Sequence, residues 1–333
     1  MKKIVIAFSD VFDGFDVKNN LISNVLKEKY EVEIADAYND EDKDRIGYLF
    51  YSAFGTKYLD FDCIRIFFTG ENLFPNFNLC DYAIGFENMT VEDRFFRLPI
   101  YLWELYKEDY DLLSSDRMIL AGERPEKRKF CGMVVSNDLF AAPNRIDFFK
   151  ALSEYKSVAS GGRAYNNIGE PDGVKDKRAF LSNYKFSIAF ENSSYPGYCT
   201  EKLMQAFSAG NVPIYWGDAE VGSQFNKEAF IDCTGLTIEE AISKVKEYDE
   251  NDELYLNMLR EKPLVDDELR EHTIQKFREW LFVIMDADYE NARRKPLHGK
   301  MTEYENQYRN RIRREEKLKS NKLVSFVWGI VKK

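Results

Sequence analysis

The chain has few of the residues from which metal sites and disulfides are built. Among its 333 residues only two are histidines, His272 and His298, so a site with several imidazole ligands is excluded. The five cysteines are an odd number, lie far apart and include no Cys-x-x-Cys pair. This usage predicts reduced thiols and a cytoplasmic protein.

Long apolar runs are also absent. No run approaches the roughly 20 residues that cross a bilayer. The N-terminal MKKIVIAFSD has five apolar residues before Ser9, which predicts a buried first strand and not a signal peptide. No lysine follows a glycine-rich loop with P-loop spacing, which argues against a P-loop kinase or sulfotransferase.

Positive charges are outnumbered by negative charges in most of the chain and predominate only at its end. From Arg293 to Lys333 there are 13 Lys or Arg against 4 Glu, a net charge of +9. The whole chain carries -10, so residues 1–292 carry -19. An acidic body disfavours nucleic acid as a partner.

Apolar runs of strand length alternate with segments of helical spacing, which predicts an α/β fold with doubly wound domains. KKIVIAFSD, EVEIAD, FDCIRIFF and CDYAIGF predict strands of a first domain, and residues 17–30 predict a helix. After a charged linker, FCGMVVSN, KFSIAFEN and VPIYWGD predict strands of a second domain, and residues 237–264 predict one long helix. We therefore expect domains at 1–125 and 126–290 and a basic helical tail at 291–333.

One stretch, AFENSSYPGYCTEKLMQAFSAGNVPIYWG (residues 189–217), places several polar groups between a predicted strand and a predicted helix. Thr200 suits the N-cap of that helix and Gly210 its C-terminus. A helix N-terminus beyond the end of a parallel strand can bind phosphate, and Lys202 adds a full positive charge. Glu201 would repel phosphate alone but suits a ligand with hydroxyl groups, such as a nucleotide sugar. An ordinary helix start is the alternative for Thr-Glu-Lys taken alone.

The longer string YKFSIAFENSSYPGYCTEKLMQAFSAGNVPIYWG resembles the donor-binding motif of bacterial GDP-fucose-dependent α-1,3/1,4-fucosyltransferases. FFTGENLFPNFNLCDYAIGF (67–86) and SGGRAYNNIG (160–169) resemble the same family in matching order and spacing. The resemblance implies the GT-B fold, two Rossmann-like domains facing a cleft, with the acceptor on the first domain and GDP-fucose on the second.

The resemblance also implies roles for individual residues. The donor would be bound by Asn192, Tyr198, Glu201 and Lys202, and Glu191 would orient their loop. In the glycine loop, Arg163 is the candidate partner of the β-phosphate, and Tyr165 stands at the alternative position.

Glu71 matches the family's proposed general base, with Asn72 beside it in a lesser role. A turn carboxylate is the alternative interpretation of Glu71. No cofactor is required on this interpretation, because Arg163 and Lys202 supply the positive charge, and Mn²⁺ or Mg²⁺ would at most stimulate.

The predicted activity is inverting transfer of L-fucose from GDP-β-L-fucose to a GlcNAc hydroxyl, the 3-OH or else the 4-OH, of a glycan such as a lipopolysaccharide O-antigen. One alternative is a GT-B enzyme that uses another nucleotide sugar. A second alternative is a non-catalytic scaffold that binds sugar nucleotides. Three Asp-x-Asp strings, which bind Mn²⁺ and diphosphate in another glycosyltransferase class, are interpreted as solvated acidic segments.

The C-terminal NKLVSFVWGIVKK predicts an interfacial helix that holds the protein to the anionic inner membrane. Leu323, Phe326, Val327, Ile330 and Val331 follow helical spacing, and basic residues precede them. An oligomer contact or a core helix is the alternative. Liposome flotation of the full chain against a chain ending at residue 300 tests the prediction, and equal flotation would contradict it.

Overall fold

The computed structural model describes residues 1–320 and divides the chain into two compact units. The first unit contains residues 1–85, 89–96 and those from 277 onward, and the second contains residues 86–88 and 97–276. Each unit holds one sheet with helices, so the predicted α/β class is confirmed.

The first unit is built on a six-stranded sheet in the order β2-β1-β3-β4-β5-β6. Its strands are β1 (Lys3–Ser9), β2 (Glu31–Asp36), β3 (Tyr48–Tyr51), β4 (Ile64–Phe68), β5 (Tyr82–Gly85) and β6 (Phe95–Arg97). The first five strands pair in parallel. Every residue of β3, β4 and β5 is buried, as expected for strands covered on both faces.

The second unit is built on a five-stranded parallel sheet in the order β11-β10-β9-β7-β8. Its strands are β7 (Lys129–Met133), β8 (Val158–Ser160), β9 (Tyr184–Phe190), β10 (Val212–Trp216) and β11 (Ile231–Asp232). Strand β9 is buried along its whole length and carries the predicted motif at its carboxyl end.

The helices follow the predicted pattern with two differences. They are α1 (Leu21–Lys27), α2 (Lys107–Asp111), α3 (Arg117–Ala121), α4 (Asn144–Tyr155), α5 (Lys177–Leu181), α6 (Glu201–Ser208), α7 (Ile238–Glu250), α8 (Asp252–Arg260), α9 (Leu269–Asp286), α10 (Tyr289–Ala292) and α11 (Lys300–Ser320). Helix α1 is shorter than predicted because Asn20 caps it. The long helix expected at 237–264 is divided at Asn251, whose side chain caps α8.

The unit boundaries differ from those expected at residues 125 and 290. Residues 97–125 belong to the second unit, because Asp109 on α2 accepts hydrogen bonds from Gln205 and Ser208 of α6. Arg117 is buried and donates to the carbonyl oxygens of Asn211 (2.6 Å) and Met258 (3.0 Å). These long-range contacts attach the segment to the second sheet.

Helix α11 packs on the first unit instead of forming a free tail. Its Glu305 pairs with Arg65, which is fully buried, at 2.7 Å and with Lys295 at 2.8 Å. Tyr308 and Ile312 pack against the first unit's core. A chain ending at residue 300 would leave the Arg65 charge buried and unpaired, which is strongly destabilising.

The membrane-binding segment predicted at residues 321–333 lies outside the described residues. Between residues 1 and 320, no helix is both long and apolar enough to cross a membrane. Truncation after Ser320 is therefore the better comparison for flotation, since it retains α11 and its ion pairs.

Candidate functional site

The crevice of the second sheet lies between β7 and β9. The chain runs from β7 to β8 on one side and then returns to β9 on the other side of β7. Ligands of such sheets bind at this switch point, beyond the carboxyl ends of the strands. The loop after β7 and the loop after β9 meet there, because the Ala142 amide donates to the Asn192 carbonyl oxygen at 2.7 Å.

Glu191 organises the predicted motif from its first position. Its carboxylate is fully buried and accepts hydrogen bonds from the backbone amide of Thr200 (2.7 Å) and the hydroxyl of Thr200 (2.6 Å). It also pairs with the ammonium of Lys202 at 3.1 Å. Thr200 occupies the predicted N-cap position, but its hydroxyl donates to Glu191 and accepts from the Lys202 ammonium, and it caps no backbone amide of α6.

The first turn of α6 is a cluster of charges. The Lys202 ammonium lies 3.5 Å from the Glu201 carboxylate, and both side chains are about one fifth exposed. Burial raises the pKa of the Glu201 carboxyl, but the positive charges of Lys202 and Lys177 lower it by a larger amount. The pKa of Glu201 is therefore about 2. Burial lowers the pKa of Lys202, whereas Glu191 and Glu201 raise it by more. Both side chains are therefore ionised near neutral pH.

Asn192 and Tyr198 occupy different environments in the same loop. The amide oxygen of Asn192 accepts from the Arg145 guanidinium at 2.5 Å, and its amide nitrogen has no hydrogen-bond partner within residues 1–320. The Tyr198 side chain is buried, and its ring lies edge-on to that of Phe86, with the ring centroids 4.9 Å apart.

The glycine loop packs closely against the segment that follows β7, and it places the two alternative residues, Arg163 and Tyr165, in different environments. A Cβ added at Gly162 would lie 1.9 Å from the carbonyl oxygen of Val135, so this position accepts only glycine. The Tyr165 hydroxyl donates to Asp138, and its backbone has a φ of 58°. The Arg163 side chain is exposed, and no residue in the described range 1–320 pairs with its guanidinium.

Glu71 and Asn72 lie on the first unit, in the loop that follows the buried strand β4. The Glu71 amide donates to the hydroxyl of Thr69 at 3.0 Å, which fixes the turn. The Glu71 side chain is exposed to solvent and Asn72 is partly buried. The carboxylate is thus held at the carboxyl edge of the first sheet.

Three residues that contribute to the site were missed at the level of sequence. Arg145 is buried at the start of α4 and donates to the Phe190 carbonyl oxygen (3.1 Å) as well as to Asn192. Asp138 joins Arg145 to Tyr165. Lys177 at the start of α5 donates to Gln205 on α6 at 2.8 Å. Of these three, only Arg145 could have been found from the sequence pattern, because it lies after a predicted strand and at the start of a predicted helix.

The two Rossmann-like units, the second with a cationic helix start at its switch point, define the GT-B class of glycosyltransferase. Within the described residues, no group of three or more His, Cys, Asp or Glu side chains is arranged for a metal ion.

Residues 6–106 match the model of the α-(1,3)-fucosyltransferase FucT N-terminal domain, and residues 124–278 match the C-terminal model of glycosyltransferase family 10 (fucosyltransferase). These two matches span most of the chain, which therefore belongs to the family 10 fucosyltransferases.

The most informative relatives are fucosyltransferases. The chain is 33% identical over 279 residues to the α-(1,3)-fucosyltransferase FucT of Helicobacter pylori, covering 75% of this chain and 57% of that protein. It is 31% identical over 153 residues to 4-galactosyl-N-acetylglucosaminide 3-α-L-fucosyltransferase 9 of Rattus norvegicus, covering 44% of this chain and 41% of that protein. The chain thus spans less than two thirds of these relatives.

A crystal structure of an α1,3-fucosyltransferase with GDP-fucose has a similar fold. The TM-score is 0.68 and the identity 27%, with 86% of this chain and 92% of that chain covered. This similarity includes both units.

The Glu201 carboxylate makes the stability of the second unit depend on pH. Its pKa in the folded protein, about 2, lies below the ordinary value of 4.5, so its contribution is complete above about pH 4.5 and is lost as the pH falls toward 2. Glu201→Gln is expected to lower the free energy of unfolding by about 1–3 kcal/mol at neutral pH, and less as the pH falls below 4.5.

Urea unfolding of both proteins at a series of pH values measures this difference. Glu239→Gln, which changes an exposed carboxylate in the first turn of α7, is the matched control. A deficit in Glu201→Gln that is the same at pH 7 and pH 3 would contradict the assignment.

Proposed function

We propose that the chain is an inverting fucosyltransferase that moves L-fucose from GDP-β-L-fucose to the 3-OH of GlcNAc in a glycan. The observation that carries this proposal is the Glu191–Thr200–Lys202 cluster at the switch point of the second sheet, within the matched family segment. The relatives named for α1,3-fucosyl transfer and the solved structure with GDP-fucose support the donor and the linkage.

The reaction proposed is a single displacement at C1 of fucose. The acceptor hydroxyl oxygen forms the new bond to C1 while the bond from C1 to the β-phosphate oxygen breaks. GDP leaves with that electron pair, and the hydroxyl proton passes to a carboxylate. Inversion at C1 of a β-linked donor gives an α-linked product.

Lys202 and Arg163 are the proposed partners of the departing diphosphate. Glu191 and Thr200 accept two of the three N–H donors of Lys202, and the third faces Glu201 at the longer distance of 3.5 Å, a contact that a phosphate oxygen would share. Arg163 is exposed and without a protein partner in the described range, so its guanidinium can form a bidentate contact with phosphate. Positive charge here stabilises the negative charge that develops as GDP leaves.

The acceptor is proposed to be a GlcNAc-containing oligosaccharide, as in a lipopolysaccharide O-antigen assembled on the inner membrane. The rat relative is named for action on a 4-galactosyl-N-acetylglucosaminide, which supports a galactose-substituted GlcNAc. Incubation with GDP-fucose and either Galβ1-3GlcNAc or Galβ1-4GlcNAc, followed by linkage analysis of the product, tests acceptor and position together. A product linked only through the 4-OH would replace the 3-OH assignment, and no transfer to either would refute the proposed function.

Removal of either cation is expected to weaken GDP binding. Lys202→Ala and Arg163→Ala each remove a charge-assisted hydrogen bond worth about 1.5–3 kcal/mol. Lys202→Ala should also destabilise the fold, because Glu191 then loses a partner in the interior, whereas Arg163→Ala should not. Calorimetric titration with GDP measures affinity, and thermal unfolding measures stability.

The control for Arg163→Ala is Arg124→Ala, an exposed arginine that precedes the amino end of β7, at the opposite edge of the sheet. If Arg163→Ala binds GDP normally and Tyr165→Phe does not, the phosphate contact belongs to Tyr165. Titration with other GDP- and UDP-sugars in the same experiment tests the alternative donors.

Glu71 is the proposed general base, because it lies on the unit that the family resemblance assigns to the acceptor. Glu201 is bound to Lys202 beside the proposed diphosphate site, on the side of the leaving group. Glu71→Gln is expected to lower kcat by roughly 10²–10⁴-fold with unchanged affinity for GDP-fucose, since only proton transfer is lost.

Initial rates and calorimetry measure these two quantities. Asn72→Ala should cost less, because an amide cannot accept the proton, and Glu31→Gln at the amino end of β2 is the remote control. Near-normal turnover in Glu71→Gln, or an equal loss of GDP-fucose affinity, would assign the base to another carboxylate.

A further inference from the structure

The first sheet has a switch point of its own, between β1 and β3. Strand β1 pairs with β2 on one side and with β3 on the other, all in parallel, and the chain visits β2 before β3. A ligand crevice is therefore expected beyond the carboxyl ends of β1 and β3. Strand β4, which Glu71 follows, is the neighbour of β3.

The two loops that border this switch point are fixed to each other. Asp10, the first residue after β1, is buried with a φ of 55°. Its carboxylate accepts from the backbone amides of Lys57 (2.8 Å) and Tyr58 (2.9 Å), and its carbonyl oxygen accepts from Phe54 (3.0 Å). A Cβ added at Gly55 would lie 2.2 Å from the Asp10 carboxylate, so the loops pack without room for a larger residue.

Aromatic rings connect this switch point to the strand that precedes Glu71. Phe68, the last residue of β4, lies 5.6 Å from Phe15, and Phe15 lies 5.6 Å from Phe12. Phe12 in turn lies 6.4 Å from Phe54, with all distances taken between ring centroids. Phe68 is buried, whereas Phe12 and Phe54 are 41% and 54% exposed. The row therefore begins in the core three residues before Glu71 and ends in two solvent-facing rings.

Polar groups adjoin the exposed end of this row. A cavity of about 430 Å³ shares Phe54 with it, and its lining includes Asp60, Lys57 and Arg313. Charges of both signs in this cavity suit hydroxyl groups, whereas they do not suit an acyl chain or an apolar peptide. A pyranose ring has both kinds of surface, an apolar C–H face and a rim of hydroxyl groups.

We propose that Phe12 and Phe54, whose ring planes are inclined by 76°, form an acceptor platform that binds the sugar joined to the reactive GlcNAc, with one ring stacked on its C–H face and the other against its edge. This inference rests on the proposed function and assigns the acceptor a disaccharide or larger. The hydroxyl rim of the stacked sugar faces the charged cavity, and the next sugar presents its hydroxyl to Glu71. A site that combines aromatic surface with a few polar groups is typical of small-ligand recognition.

Acceptor kinetics at saturating GDP-fucose test the platform. Phe12→Ala and Phe54→Ala are expected to raise the KM for Galβ1-4GlcNAc about 5- to 10-fold. The KM for GlcNAc monosaccharide should not change, because it lacks the stacked sugar, and the KM for GDP-fucose should not change either. Phe12→Tyr and Phe54→Tyr, which keep the ring, should retain the normal disaccharide KM.

Val283→Ala is the control variant for this test. Val283→Ala truncates a side chain of the same unit that is 65% exposed, and it should alter neither constant. Phe54→Leu, which keeps apolar bulk but removes the ring, should behave as Phe54→Ala does. If the wild-type chain transfers fucose and the alanine variants keep their disaccharide KM, or if both acceptors lose equally, the platform is refuted while the proposed function stands. If the wild-type chain transfers no fucose, the proposed function fails.

Discussion

A carboxylate that is removed from water needs hydrogen-bond donors or a positive charge beside it, because an unpaired ion is costly to bury. Glu191 is such a group, and its partners Thr200 and Lys202 come nine and eleven residues later. The chain that follows Glu191 must therefore loop back to the end of β9, so that Thr200 and Lys202 reach the Glu191 carboxylate. The start of α6, and with it the position of Glu201, is therefore fixed by one buried carboxylate.

The first unit also has a buried carboxylate directly after a strand, but the residues around that carboxylate are different. Asp10 follows β1 directly, as Glu191 follows β9, and it holds the loop after β3 through two backbone amides. In both units a buried acid at a switch point fixes the loops that border the crevice. In the second unit the acid pairs with Lys202, and in the first unit it lines a cavity together with Phe54 and Lys57.

The sequence predicted the parts of the structure that depend on local pattern. Apolar runs marked β1, β4, β9 and β10, and the contiguous motif placed Glu191 and Lys202 together. It did not predict the position of residues 97–125, because the burial of Arg117 depends on carbonyl groups from three distant segments. Arg145 and Lys177 were missed for the same reason, since each acts on a different element. Asn251 was read as helical because its capping role depends on where α7 ends.

The two proposed phosphate partners differ in how firmly other residues hold their side chains. Lys202 is held by hydrogen bonds to Glu191 and Thr200, so its charge is in position and little side-chain entropy remains to be lost on binding. Arg163 is exposed and without a partner in the described range, so ordering it on binding costs part of what its hydrogen bonds contribute. Lys202 can therefore supply a fixed charge of the kind that stabilises a transition state. Arg163 can adjust to the diphosphate, since nothing in the described part of the protein fixes its direction.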